Sequence, residues 1–450
     1  MSRMFGTDGV RGVAGRELDI NLATRLGQAG AYVLTGGNNG KRPVILVGCD
    51  TRISGGMLAN AMIAGICSVG ADAVYCGVLP TPAIAFLTRK HGYDAGVVIS
   101  ASHNPMEFNG IKFFNHDGYK LPDEMEDRIQ DEIENDMADI EFPEGEKIGR
   151  VTYAFDMGQE YIDFEKSAAH PDLSGMKIVV DCAEGASYRT NTQVLKDLGA
   201  DVVAIHVHPT GTNINDHCGS THMEQLCRRV IDEKADVGIA FDGDADRMLA
   251  VDEKGHIVDG DQIMAVCAKY MQKHGLLKKN TVVVTVMSNL GFTMMGEREG
   301  INIATTQVGD RYVLERMKAE GYNIGGEQSG HIIFLDDNTT GDGMLSALKL
   351  LDVMVNEKKP LSVLASIMEV LPQALVNAHV PNDRKASYND YSEIRTAIKR
   401  LEDKFNGAGR VLIRPSGTEP LVRVMIEGKD QKEIDSDARN LALLIEKVMN

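Results

Sequence analysis

Residues 43–48 (PVILVG), 71–79 (ADAVYCGVL) and 95–100 (AGVVIS) are short, continuous apolar runs separated by segments of helical period at 56–69 and 82–91. Runs this short and apolar read as strands buried on both faces, and their alternation with helices predicts a parallel sheet covered by helices. The texture returns at 176–181 (MKIVVD), 201–206 (DVVAIH) and 236–241 (DVGIAF). It appears again at 281–286 (TVVVTV) and 301–306 (INIATT), with helices at 261–273 and 343–355. Between the first and second sets, 121–148 carries Met125, Ile129 and Ile133 at four-residue spacing and then dissolves into Pro and Gly. That stretch reads as a solvated amphipathic helix and a linker, with a boundary near 150.

After Pro360 the texture changes. Residues 369–380 read as irregular and apolar, 391–405 as a charged helix, and 410–413 and 421–427 as strands. A last helix at 430–449 puts Ile434, Ala438, Leu441, Ile445 and Val448 on one face. The expected organisation is three α/β domains (1–150, 151–255, 256–365) with mixed, largely parallel sheets, then a smaller α+β domain at 366–450. No repeat of solenoid period is present.

The 450 residues carry 47 Lys and Arg against 65 Asp and Glu, a formal charge of −18, with 43% hydrophobic residues. The length suits several domains of roughly 100–200 residues each. An acidic chain is poorly suited to nucleic acid or an anionic membrane, although a local basic pocket would suffice for a small anionic substrate. The opening MSRMFGTDGVRG lacks a secretory apolar segment, and no run approaches the ~18 apolar residues of a membrane span, so a cytoplasmic location is expected. The seven cysteines are scattered and never spaced as CxxC. They read as small buried hydrophobes without a zinc or disulfide role.

Four stretches carry candidate chemistry. In 97–114 (VVISASHNPMEFNGIKFF) a strand ends at Ser100 and a loop presents Ser102, His103 and Asn104 before Pro105. Reactive groups in open α/β sheets sit beyond the carboxyl ends of parallel strands, so Ser102 is a candidate nucleophile, with a helix N-cap as the alternative. The segment has no G-x-S-x-G elbow, which disfavours a hydrolase triad. In 237–247 (VGIAFDGDADR) three aspartates, 242, 244 and 246, follow a strand on one loop. Bare carboxylates that close repel by about 1 kcal/mol per pair in water and several times more when partly buried. A hard divalent cation, Mg²⁺ or Ca²⁺, resolves the conflict, with a plain solvated turn as the alternative. An EF-hand is rejected despite Glu253 at the twelfth position, because Arg247 occupies the obligatory glycine position and the flanks are strands.

Arg247 can clamp a phosphate or balance the aspartates. The turn 325–331 (GGEQSGH) carries Glu327, Ser329 and His331, side chains suited to vicinal hydroxyls, although taken alone it reads as a surface loop. In 410–423 (RVLIRPSGTEPLVR), Arg414, Ser416, Gly417, Thr418 and Arg423 can form an anion nest. Two further glycine-rich stretches fail on context. TGGNNGKRP at 35–43 lacks P-loop spacing, and GTDGVRG at 6–12 follows no strand as a dinucleotide fingerprint would.

Together these stretches resemble the α-D-phosphohexomutase family: FGTDGVRG at 5–12, SASHNP at 100–105, DGDADR at 242–247, GEQSGH at 326–331 and RPSGTEP at 414–420, in the family's order. GTNINDHCGSTH at 211–222 and VGDRYV at 308–313 also resemble family segments. The resemblance implies four domains around a central cleft, a phosphorylated Ser102, and Mg²⁺ held by Asp242, Asp244, Asp246 and the seryl phosphate. It implies proton transfer or phosphate orientation by His103 and Lys112, charge neutralisation by Arg11 and Arg247, and sugar contacts from Glu327 and Ser329 with His331 nearby. Arg414, Ser416, Gly417, Thr418 and Arg423 would grip the non-reacting phosphate, and the cationic members of these sets should converge into a basic centre.

Gln328 matches the glucosamine branch, so the expected reaction interconverts glucosamine 6-phosphate and glucosamine 1-phosphate. Glucosamine 1,6-bisphosphate or glucose 1,6-bisphosphate would serve as activator, or a kinase would first load Ser102. Mannose- or glucose-phosphate specificity is the alternative, followed by a Mg²⁺-dependent sugar phosphatase and a non-enzymatic Ca²⁺ or sugar-phosphate binder. The oligomeric state stays open, with a homodimer as one option.

Overall fold

The computed structural model describes residues 3–6, 8–36, 42–416 and 419–450. The chain forms two compact units, Met1–Met287 with Ile301–Ile367, and Ser288–Gly300 with Met368–Asn450. No helix among the described residues is long and apolar enough to cross a membrane.

The first sheet is built from β1 (Val10–Val13), β2 (Val44–Cys49), β3 (Asp72–Val78), β4 (Ala95–Ile99), β5 (Phe108–Asn115) and β6 (Val151–Tyr153). They lie in the order β1-β5-β4-β2-β3-β6. Helices α1 (Ile20–Thr35), α2 (Gly55–Ser68), α3 (Thr81–His91) and α4 (Asp123–Glu134) accompany it. Ile45, Val47 and Cys49 of β2 join one apolar core with Leu26, Leu58 and Met62, while Leu46 joins a second core with Ile84, Phe114 and Tyr161. Successive residues of a strand point to opposite faces, so a continuous apolar run is what a strand covered on both sides requires. Helices α1 and α2 cross closely, and a Cβ on Gly65 would stand 2.2 Å from the carbonyl oxygen of Thr24. The parallel pairing of β6 with β3 carries this sheet to Tyr153, a little past the expected boundary.

The second sheet contains β7 (Lys177–Asp181), β8 (Asp201–Ile205), β9 (Val237–Phe241), β10 (Met248–Val251) and β11 (Ile257–Val258), in the order β11-β10-β9-β7-β8. Helices α5 (Met157–Ala168), α6 (Thr190–Asp197) and α7 (Glu224–Glu233) belong to this region. The third sheet contains β12 (Thr281–Thr285), β13 (Asn302–Thr306), β14 (Ile324–Gly326) and β15 (Ile332–Phe334), in the order β13-β12-β14-β15. Its neighbours in sequence are α8 (Gly260–Lys273), α9 (Leu290–Glu299), α10 (Asp310–Glu320), α11 (Gly343–Glu357) and α12 (Leu361–Ala365).

These three sheets share one wiring. In each, one strand (β2, β7 or β12) is flanked by two parallel partners, and the later of these partners (β4, β9 or β14) turns back into an antiparallel neighbour. The repeat expected from alternating patterns is thus a repeat of topology.

The second unit has a three-stranded antiparallel sheet of β16 (Gln373–His379), β17 (Arg410–Pro415) and β18 (Leu421–Glu427), ordered β16-β18-β17, with α13 (Ser392–Phe405) and α14 (Gln431–Met449). The segment 369–380, read as irregular, contains β16. Its period-two pattern buries Ala374 and Ala378, but Leu375 faces outward at 60% exposure and blurs the alternation. Residues 288–300 join this unit through paired hydrogen bonds between the Asn289 side chain and the backbone of Leu371, and one from the Leu290 N–H to Glu427.

Candidate functional site

The three sheet topologies place three candidate loops at equivalent positions, each between the third parallel strand and its antiparallel successor. These are Ser100–Glu107 between β4 and β5, Asp242–Arg247 between β9 and β10, and Glu327–His331 between β14 and β15. All lie in the first unit.

The serine loop is held from below by a buried ion pair. Asp50, just past β2, accepts from Arg52 Nε at 2.9 Å and from Ser100 Oγ at 2.7 Å. The Arg52 guanidinium, fully buried, donates to the carbonyls of Ser102 (3.0 Å), Asn104 (2.7 Å), Pro105 (2.5 Å) and Phe108 (3.1 Å). From the second domain, Asn215 Nδ2 donates to the Ser102 and Asn104 carbonyls at 2.9 and 3.0 Å. So many donors on one turn over-determine its shape, and Ser102 sits at φ 53°, a conformation that costs a non-glycine residue energy.

Ser102 Oγ donates to Asp242 Oδ2 at 2.6 Å and lies 3.4 Å from His103 Nδ1. Arg247 Nη1 lies 3.1 Å from the same nitrogen. A guanidinium can only donate, so Nδ1 accepts and the neutral imidazole carries its proton on Nε2. Burial, then Arg247 and Arg11, push the His103 pKa down to about 4.

Asp242, Asp244 and Asp246 are all buried, and one oxygen from each lies within 4.8 Å of the others. Burial and the charges of Asp244 and Asp246 push Asp242 up to about 7. Asp244 Oδ1 and Asp246 Oδ1 are buried without a hydrogen-bond partner. Mutually repelling, under-satisfied oxygens on one loop are a donor set suited to a hard divalent cation.

Around them Lys112 Nζ lies 2.8 Å from Asp8, 2.9 Å from Asp244 and 3.7 Å from Asp246. Burial opposes its charge, but these carboxylates outweigh it and hold the ammonium protonated. Lys120 bridges Asp8 at 2.7 Å and Asp310 at 2.5 Å. His331, also buried, stands 3.6 Å from Asp246 and 3.5 Å from Asp310. Arg11 pairs with Asp8, and Thr81 Oγ1 donates to Asp244 at 2.6 Å. The basic centre expected in this unit is therefore a lattice of alternating charges, because each buried cation needs a carboxylate to offset its desolvation.

In the third loop Glu327 Oε1 accepts from the Gly309 N–H at 3.1 Å, and Ser329 is exposed. Gln328, matched by sequence to a substrate branch, donates instead to Asp259 Oδ2 at 3.0 Å, the side chain that caps α8. The fourth candidate loop belongs to the second unit. There Arg414 and Arg423 are direct register partners on β17 and β18, Arg423 pairs with Glu419 at 3.1 Å, and the Ser416 hydroxyl accepts from the Glu419 N–H at 3.2 Å. Gly417 and Thr418 lie outside the described residues.

Sequence reasoning missed Asp8, Asp50, Arg52, Thr81, Lys120, Asn215 and Asp310. Asp8, Asn215 and Asp310 lie inside quoted motifs, and Asp50 and Arg52 directly follow a buried strand, which was a usable signal.

Four family profiles match the chain: phosphoglucomutase/phosphomannomutase alpha/beta/alpha domain I at residues 2–139, domain II at 156–255, domain III at 259–371 and the C-terminal domain at 375–443. The phosphoglucosamine mutase of Clostridium tetani (strain Massachusetts / E88) is 59% identical over 447 residues, 99% of each chain. That of Clostridium novyi (strain NT) is 58% identical over 450 residues, all of both chains. Among solved structures, a phosphoglucomutase/phosphomannomutase family protein from Burkholderia thailandensis superposes with TM-score 0.83 at 22% identity, covering 100% of this chain and 99% of that one. The Aspergillus fumigatus N-acetylphosphoglucosamine mutase, solved with GlcNAc-6P and magnesium, gives 0.68 at 18% identity, covering 99% and 96%.

Proposed function

The chain belongs to the α-D-phosphohexomutase family of isomerases, and from that premise we propose that it interconverts glucosamine 6-phosphate and glucosamine 1-phosphate in the cytoplasm, through phosphorylated Ser102 and a glucosamine 1,6-bisphosphate intermediate. The product would feed amino-sugar nucleotide and cell-wall synthesis. The observation that carries this reading is the 2.6 Å hydrogen bond from Ser102 Oγ to Asp242, which sets the nucleophile's oxygen against the carboxylate triad.

Asp242, Asp244 and Asp246 would hold Mg²⁺ together with the seryl phosphate. Mg²⁺ bound there neutralises charge on the transferring phosphoryl group. Lys112, locked as a cation by Asp8 and Asp244, orients and neutralises phosphate rather than shuttling protons. Arg11 and Arg247 add charge beside it, and His103 contributes a neutral ring. Glu327 and Ser329 offer groups for sugar hydroxyls, and His331 fixes Asp246 and Asp310 behind them.

In the second unit, like charges at directly opposed strand positions repel, and an anion between Arg414 and Arg423 would relieve that repulsion. With Ser416, Gly417 and Thr418 they would grip the non-reacting phosphate. The phosphoryl group passes from Ser102 to one sugar oxygen, the bisphosphate reverses, and its other phosphate returns to Ser102. Glucosamine 1,6-bisphosphate or glucose 1,6-bisphosphate would reload a serine that loses its phosphate.

Mass spectrometry of the Ser102 peptide should find phosphate, and Ser102→Ala should abolish turnover. Full activity without that hydroxyl overturns the reading. Comparing kcat/KM on the glucosamine, glucose and mannose phosphates decides the sugar, and stoichiometric release of inorganic phosphate would identify a phosphatase instead.

A further inference from the structure

At the carboxyl edge of the second sheet, three side chains meet that phosphoryl transfer does not use. Asp181 ends β7, and its register partner Ile205 ends β8, so His206 leaves the sheet beside it. Cys218 closes the loop that follows, immediately before the short 3-10 turn Gly219–Thr221. One carboxylate oxygen, one imidazole nitrogen and the thiol sulfur all lie within 4.8 Å of one another. Asp181 and Cys218 are buried, while the His206 side chain keeps 18% exposure and a path from solvent.

The orientation of these groups is informative. His206 Nδ1 stands 2.9 Å from Asp181 Oδ2, and this contact raises the imidazole's pKa, although Nδ1 makes no well-aligned hydrogen bond. The sulfur, an imidazole nitrogen and a carboxylate oxygen cluster within 4.8 Å. Ligand atoms bound to zinc at about 2.0–2.3 Å stand together in this way. The carboxylate is itself fixed by the N–H groups of Ala183 at 2.8 Å and Gly219 at 3.0 Å, the kind of outer support that holds a ligating group in place.

We propose that Asp181, His206 and Cys218 form a second cation site, selective for a thiophilic divalent ion of the zinc class and distinct from the aspartate triad. One sulfur, one nitrogen and one oxygen are a borderline-soft donor set, whereas Mg²⁺ demands hard oxygen ligands. On binding, the Cys218 S–H bond breaks, the sulfur–metal bond forms and the proton leaves to solvent. His206 binds as neutral imidazole through Nδ1, water completes the coordination, and nothing is oxidised or reduced. The ion would pin both ends of the segment that carries Asn215, the residue gripping the Ser102 and Asn104 carbonyls.

The test uses full-length protein, stripped with a chelator, saturated with Mg²⁺ and titrated with Co²⁺. The expected result is a near-ultraviolet thiolate-to-cobalt charge-transfer band that saturates at equimolar Co²⁺ and is displaced by Zn²⁺. Cys218→Ser should abolish the band, and His206→Ala should weaken Co²⁺ binding at least tenfold. Absence of the band in the unmodified protein overturns the proposal whatever the variants do, as does a band that survives Cys218→Ser.

Discussion

Asp50 and Asp181 occupy equivalent places, each at or just past the carboxyl end of the strand flanked by two parallel partners (β2 and β7), and each is fully buried. Asp50 carries its own counter-ion: Arg52 neutralises it and spends its remaining N–H groups on the serine loop. Asp181 is paired with an imidazole instead, that of His206. The carboxylate also faces the Cys218 thiol and is steadied by two backbone N–H groups. One topological position thus yields a closed structural splint in the first domain and an open donor set in the second. A guanidinium is permanently charged, whereas an imidazole can give up its proton and leave the acid to share an external cation.

The sharpest way to break this contrast is Arg52→Met. It strands a buried carboxylate and takes a donor from each of four carbonyls, two of which keep Asn215, so a loss of about 3–5 kcal/mol is expected by chemical denaturation, together with loss of turnover. A near-neutral result would show that Arg52 is not a splint. Asp181→Asn should be milder, about 1–3 kcal/mol, because the amide oxygen still accepts one of the two N–H groups.

A third buried acid shows a third outcome. Glu165 on α5 lies beside Asp342, and burial, then that neighbouring charge, raises its pKa well above 4.5, so the fold keeps its proton. A raised folded pKa stabilises fully below the unfolded value, and that contribution is lost as pH climbs toward the folded one. Glu165→Gln should therefore match the parent protein near about pH 4 and surpass it by more than about 1 kcal/mol near pH ~8. Thermal melts at the two pH values check the sign. The smallest effect belongs to Gln328→Met, which removes one hydrogen bond to Asp259 and should cost about 0.5–1.5 kcal/mol. A large change in sugar preference in that variant, measured as kcat/KM ratios, would mean that the loop's anchor sets specificity.

The strands were legible because β2 and β4 are apolar on consecutive residues, which only a sheet covered on both faces permits. The aspartate loop was legible because three adjacent carboxylates demand an explanation. Arg52 was not, since its partners are main-chain carbonyls, which every residue type supplies. Gln328 was misdirected for a related reason: a residue's identity within a motif does not reveal which way its side chain turns. Leu375, exposed on β16, hid a strand by placing an apolar residue on the outward face.

The helix Leu290–Glu299 is wired to the second unit although the chain returns to the first for residues 301–367 before the rest of that unit begins. A ribosome delivers Asn289 long before Leu371 and Glu427, its neighbour's hydrogen-bond partner, exist. These bonds can close only after those later residues have been made. A gene fragment encoding 368–450 alone would lack the helix that this compact unit draws from residues 288–300.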